Sequence, residues 1–319
     1  IRHIEGASDE AIEYLEAGIA AIELKGKQQY ITLWRSLIDR MAWIRFRQGE
    51  LEQAFDLAGS ATLGLDPERE DDPMTLASLY NTLGGILWEQ GNLSEAVTYV
   101  QLSSRLYSEQ RYIWGMANTD VNLGVLYFSQ GDWQQAAKHF TQAEKYWLQM
   151  GDLQHRAVTL NNLGTLRQGM GQYEIAGDHF TQSLELFQRL GDIWGSARVH
   201  VSFARLRFQQ SETKLAQEHI TQASELLKVV GAQDVELYWV QSLIIAERDL
   251  RVALATAEKA LELAREANML DQEAECLLAL GKIRKKAGDY QQAESLFRES
   301  VDLNLQARAP YGLGLAMLE

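Results

Sequence analysis

A chain of 319 residues, 46% of them hydrophobic, is long enough to bury a large core. Three prolines in the whole chain, against much alanine, leucine, glutamine and glutamate, favour helices, while a net charge of −14 disfavours a nucleic-acid surface, which needs clustered cations. One cysteine, Cys276, excludes an internal disulfide, and no apolar stretch is long enough to span a bilayer. The expectation is a cytoplasmic all-α protein with no membrane or nucleic-acid partner through this segment.

The first predicted element, "GASDEAIEYLEAGIAAIEL", contains a pattern that then recurs along the chain: a glycine or its substitute, four residues, and an alanine. The alanines are Ala11, Ala54, Ala96, Ala136, Ala176, Ala216, Ala253 and Ala293, spaced 43, 42, 40, 40, 40, 37 and 40 residues apart. Self-similarity at such a period marks a repeat architecture. Gly6, Gly49, Gly91, Gly131, Gly171 and Gly288 precede six of the alanines by five residues, with Ser211 and Arg248 in the other two copies. A turn is expected there, with the Asp, Asn or Glu that follows capping the next helix.

Seven residues after each alanine comes a small residue, as in Gly18, Ser103, Ala143, Ser183 and Ser300, with a bulky one such as Val100, Phe140, Phe180 or Phe297 between them. Both positions lie on one helical face and predict close packing. Twelve residues before the alanine stands Leu-Gly or its equivalent, as in Leu83-Gly84, Leu123-Gly124, Leu163-Gly164, Phe203-Ala204 and Leu280-Gly281, on an upstream helix opened by Ala77, Ala117, Ala157 and Ala197. Each unit is therefore a helical hairpin.

Seven complete hairpins are expected over 32–308, starting near Thr32, Thr75, Gly115, His155, Gly195, Val235 and Glu273. A partial unit precedes them over 1–31, and "PYGLGLAMLE" reads as the start of a further unit over 309–319. The whole of 1–319 is expected to be a single solenoid, excised from a larger protein because both ends look cut and the chain begins with isoleucine. "DPEREDDP", residues 66–73, reads as an exposed acidic linker. The unit over 234–269, around Val240, Gln241 and Arg248, is three residues short, which leaves its register open.

"VNLGVLYFSQGDWQQAAKHFTQAEKYW" and "LNNLGTLRQGMGQYEIAGDHFTQSLEL" resemble tetratricopeptide repeats. That motif maps onto Leu123, Gly124, Tyr127, Gly131, Trp133, Ala136, Phe140 and Ala143. Units near 40 residues are similar to those of kinesin light chain, the LGN polarity adaptor and MalT-like regulators. The resemblance implies a right-handed α-solenoid of antiparallel hairpins and, from the MalT-like arrays, a sensor region of a bacterial signal-transduction ATPase or transcription regulator.

No P-loop, HExxH, CxxC, GxSxG or EF-hand spacing occurs, so the expectation is no enzyme, no cofactor and no metal. His139, His179 and His219 form a column at 40-residue spacing that reads as a repeated surface position. Trp133, Tyr173 and Tyr290, and the pair Trp114 and Trp194, read as wedges between repeats.

The resemblance places the first helix of each hairpin on the concave side. Counting from the Leu-Gly glycine, positions −6, −3, +1 and +4 share a stripe, flanked by −2 and +5. The stripe yields Arg40, Arg47, Asn81, Trp88, Asn118, Asn122, Phe128, Asn161, Asn162, Gln168, Arg198 and Arg205, with Asp39, Trp43, Thr165 and Phe208 among their neighbours. An amide can pair with the backbone of any extended peptide, and arginine adds carboxylate recognition. In kinesin light chain and Rap-type receptors inner-helix asparagines hold ligand backbones, which by resemblance assigns that role to Asn81, Asn122, Asn161 and Asn162. The competing reading is that such an asparagine hydrogen-bonds within or between hairpins, or simply sits in water. The expected partner is a peptide, a protein segment or a small effector in the concave groove, and the solenoid ends or further domains offer routes to oligomers. The rivals are a passive scaffold and a Rap-like regulator, the latter needing clustered inner-face acids, of which only Asp39 and Glu89 stand out.

Overall fold

The computed structural model describes residues 2–62, 72–267 and 269–306, all helix and turn with no strand among them. The further unit expected over 309–319 and most of the acidic linker lie outside the described residues. In chain order the helices are α1 (Arg2–Gly26), α2 (Ile31–Arg47), α3 (Leu51–Thr62), α4 (Pro73–Glu89), α5 (Leu93–Glu109), α6 (Ile113–Ser129), α7 (Trp133–Met150) and α8 (Leu153–Gly169). They continue as α9 (Tyr173–Leu190), α10 (Ile193–Gln209), α11 (Thr213–Val230), α12 (Val235–Ile245), α13 (Leu250–Glu266), α14 (Leu270–Lys286) and α15 (Tyr290–Gln306). The chain divides into two compact units, Ile1–Leu126 and Tyr127–Glu319.

Each hairpin closes because its small residues let two backbones approach. A Cβ on Gly84 would lie 2.3 Å from Val100 Cγ2, and one on Gly164 would lie 2.4 Å from the Phe180 ring. In the same register Ala204 stands sixteen positions before Ile220, and both are fully buried. The serine seven after the repeat alanine does more than save space. Ser103, Ser183 and Ser300 donate Oγ–H to the carbonyls of Ala77, Ala157 and Ala274 at 2.6, 2.7 and 2.9 Å, tying second helix to first.

Several local expectations change. Gly6 lies inside α1 and makes no turn. Ser211 keeps the left-handed backbone of the glycine it replaces, at φ 63°, whereas Arg248 does not, and a tighter turn follows the shortened α12. Aspartate caps the next helix at Asp132, Asp249 and Asp289, whereas Asn92 and Glu212 make no side-chain cap. Tyr173 packs into the core as a wedge should, but Trp114, Trp194 and Tyr290 are exposed. The histidine column is half-buried rather than superficial: His139 stacks on Tyr127, and His219 stacks on Phe203 with Nδ1 3.0 Å from His200 Nδ1.

In Tyr127–Glu319 the first helices α8, α10, α12 and α14 pack side by side, whereas the second helices stand further apart and meet through long side chains, as where Arg265 of α13 donates to Glu299 of α15 at 2.7 Å. The closely packed layer is the inner one, so its free side is the concave side of this unit. In Ile1–Leu126 the same layer is formed by α2 and α4.

Candidate ligand-binding face

One register governs how neighbouring first helices meet: the −3 residue of one hairpin faces the −2 residue of the next. In Ile1–Leu126 this register is filled. Asp39, at −3, accepts from Thr82 Oγ1 at 2.9 Å and from Ser78 Oγ at 2.5 Å. Burial pushes its carboxyl above the usual range, opposed by those two hydroxyls and by Arg40. Asn81, at −3 on α4, accepts from Asn122 Nδ2 at 2.8 Å, so hydrogen bonding between hairpins is realised at this pair. Trp88 and Asn118 are half-buried, while Arg40 and Arg47 are exposed, Arg47 lying 5.6 Å over the Trp43 ring.

In Tyr127–Glu319 the register is occupied but not satisfied. By the same register Asn161, at −3 on α8, pairs with the −2 position of α10, which is Ser202. Ser202 instead turns its hydroxyl to the Arg198 carbonyl at 3.3 Å, and Asn161 Oδ1 is buried with no hydrogen-bond partner. A serine that bonds the carbonyl four residues back has no donor left for the next helix. Two turns along α8, Gln168 is 5% exposed and donates Nε2 to Gln209 Oε1 at 2.8 Å, leaving its own Oε1 without a partner. Asn162 and Phe128 are half-buried, and Arg198 is exposed.

Arg205 lies at the middle of this face. It donates to Glu236 Oε1 at 2.8 Å and to Thr165 Oγ1 at 3.4 Å, so it spans α8, α10 and α12. Asp234 caps α12 through Leu237 N at 2.8 Å; burial and the Glu236 charge push its carboxyl up, while Arg198 pulls it down. Burial pushes the carboxyls of Glu275 and Asp271 on α14 upward as well, with Arg205 and Lys282 drawing Glu275 back. Four inner-face acids thus gather on α12 and α14 where the sequence suggested few. The Leu-Gly reference is missing from the shortened α12, so its stripe could not be counted; Glu275 stands at −6 from Gly281 and was countable.

Among the described residues no group of three or more metal-ligating side chains forms, and no helix is long and apolar enough to cross a membrane. Residues 74–147, 115–189 and 155–228 match one tetratricopeptide repeat profile and residues 276–309 match another, together more than half of the chain. The chain belongs to the tetratricopeptide repeat family. Its fold is similar to the crystal structure of the apo form of RapI, at 11% identity and TM-score 0.70 over 86% of this chain and 98% of that one. A Rap protein complexed with competence and sporulation factor aligns at 13% identity and TM-score 0.72, over 93% of the repeat array and 86% of the Rap chain. A signal transduction ATPase with numerous domains from Pyrococcus horikoshii, with a tetratricopeptide repeat sensor, aligns at 15% identity and TM-score 0.59. It covers 97% of the array and 50% of the ATPase. At these identities the likeness is one of fold. No curated protein matches the sequence.

Proposed function

We propose that the tetratricopeptide array is a non-catalytic binding region whose first-helix face takes a peptide, a protein segment or a small effector. In this reading it is the sensor region of a bacterial signal-transduction ATPase or transcription regulator, and 1–319 works as one solenoid. The observation that carries the proposal is Asn161: its Oδ1 is buried on the inner face of Tyr127–Glu319 without a donor. A buried acceptor with no partner costs roughly 1–3 kcal/mol, a cost that a bound backbone N–H removes. Asn162, Arg198 and Arg205 lie on the same face, Arg198 exposed to solvent. Asn81, Trp88, Asn118, Asn122 and Phe128, with Arg40 and Arg47, occupy equivalent stripe positions of the first helices α2, α4 and α6.

A Rap-like, peptide-responsive regulator is the second reading, favoured by the fold shared with a Rap protein complexed with competence and sporulation factor. Both readings are tested by passing a random hexapeptide pool over the immobilised chain and titrating retained peptides calorimetrically. The Asn161→Ala/Asn162→Ala and Arg198→Ala/Arg205→Ala variants, each folded by circular dichroism, are expected to bind at least about tenfold more weakly. Unchanged affinity in both variants sinks the proposal.

A further inference from the structure

On the inner face of Tyr127–Glu319, where Arg198 is exposed to solvent, the buried side-chain atoms without partners are acceptors. Asn161 Oδ1 and Gln168 Oε1, both on α8, are buried acceptors without donors. Thr165, between them on the same stripe, already receives a hydrogen bond from Arg205. Across the face, Glu275 is half-buried and has no hydrogen bond or ion pair among the described residues. The cations that act on it, Arg205 and Lys282, do so only at a distance. Gln272, one turn before Glu275 on α14, adds a third buried acceptor without a partner, its Oε1.

A ligand made of acceptors, such as a phosphate or a free carboxylate, leaves every one of these groups unmatched and adds repulsion from Asp234, Glu236, Asp271 and Glu275. A ligand that brings donors resolves them. Backbone N–H groups of an extended segment suit the amide oxygens of α8, and a cationic side chain suits the carboxylate of α14. Arg205 cannot supply that cation itself, because its guanidinium is committed to Glu236 and Thr165.

We infer that this face recognises an extended peptide carrying a lysine or arginine, whose cationic side chain is held by Glu275 while its backbone amides meet Asn161 and Gln168. This inference rests on the peptide reading above and narrows it to a basic peptide. Glu275 stands in this face as a specificity-determining residue: it selects the charge of the ligand, and the amides tolerate its remaining sequence.

The test uses a pool of random hexapeptides, acetylated at the amino end and amidated at the carboxyl end, so that only side chains carry charge. Retained peptides are sequenced from the wild-type chain and from Glu275→Gln, a change that keeps shape and removes charge. The expected result is lysine or arginine enriched at one position by the wild type, with that enrichment lost in Glu275→Gln. A retained peptide resynthesised with citrulline or norleucine at that position should bind the wild type roughly tenfold or more weakly, the loss of one charge-assisted contact. This second measurement needs no protein variant. Peptides retained without a basic position, or with one that Glu275→Gln does not alter, overturn this inference and leave the peptide reading standing. If no peptide is retained, both fall.

Discussion

The inner faces of Ile1–Leu126 and Tyr127–Glu319 are built on one register and finished differently. In the first, the −3 residues Asp39 and Asn81 find their donors on the next first helix. In the second, Asn161 meets a serine whose hydroxyl is spent on its own helix. The same amide at the same repeat position is thus a structural clasp in one region and an open acceptor in the other. What decides its role is the neighbour forty-one residues later, not the asparagine itself.

The largest expected contrast concerns the buried carboxylates. Asp39→Ala strips Ser78 and Thr82 of their shared acceptor and is expected to cost about 2–4 kcal/mol in urea unfolding followed in the first region. Glu275→Gln removes a charge that has no partner, and is expected to change stability by less than about 0.5 kcal/mol, or to raise it. Equal losses from the two substitutions break the distinction between clasp and open site.

Acid comes next, and should act in opposite directions on the histidine pair of α10 and α11 and on Asp39 of α2. Burial lowers His200, and burial together with His200 and Arg207 lowers His219 to about 4 from an ordinary 6.5. The unfolded chain therefore takes up these protons first. Stability from this pair is fully present above about 6.5 and is lost as pH falls towards about 4. Asp39 is raised, so the folded state takes its proton first and acidification favours α2 and α4, as it favours α12 and α14 through the raised Asp234, Asp271 and Glu275. Hydrogen exchange at pH 7 and pH 5 should show α10 and α11 losing protection while α2 and α4 keep theirs. Uniform loss along the chain contradicts this.

A smaller effect concerns the amides. Asn122→Ala leaves the half-buried Asn81 side-chain oxygen without its donor, at about 1–2 kcal/mol by thermal unfolding. Asn161→Ala removes an acceptor that was never satisfied, and its stability cost should stay below about 0.5 kcal/mol while peptide affinity falls. The comparison fails if Asn161→Ala is the more destabilising of the two.

The fold was legible because packing repeats. A ladder of alanines near 40-residue spacing, buried from Ala54 to Ala293, and glycines that admit Val100 or Phe180 leave few alternatives to stacked hairpins, and helix starts expected at 75, 155 and 195 lie within two residues of those observed. The candidate face was legible only as a stripe. Whether Asn81 or Asn161 is satisfied depends on a side chain in the next repeat and on the rotamer it adopts, which spacing alone does not reveal. Trp114 and Trp194 misled for a related reason: their regular recurrence suggested burial, although the position that recurs is an exposed helix start. Glycines Gly151, Gly191 and Gly231, also 40 residues apart and left-handed, mark the turns between hairpins and are a second periodic signal beside the alanines.

The finest test converts one region into the other. Ser202 occupies in α10 the position that Asn122 occupies in α6 and Thr82 in α4, so the register accepts a larger polar side chain there. Ser202→Asn should place an amide nitrogen opposite Asn161 Oδ1 and rebuild the Asn81–Asn122 clasp in the second region. One neutral hydrogen bond gained inside a protein is worth about 0.5–1.5 kcal/mol, partly offset by packing an asparagine where Ser202 is only 4% exposed. A net gain of about 0.5 kcal/mol in stability, with weaker binding of every peptide the wild type retains, is the expected pair of results. The two must move together, because a single oxygen cannot accept the new amide and still present the same lone pair to a ligand. If stability rises while affinity is untouched, the open acceptor is a packing flaw and the ligand contacts lie elsewhere on the face. If affinity falls with no gain in stability, the asparagine has blocked the groove by size, and Ser202→Val, similar in bulk but without a donor, should weaken binding equally.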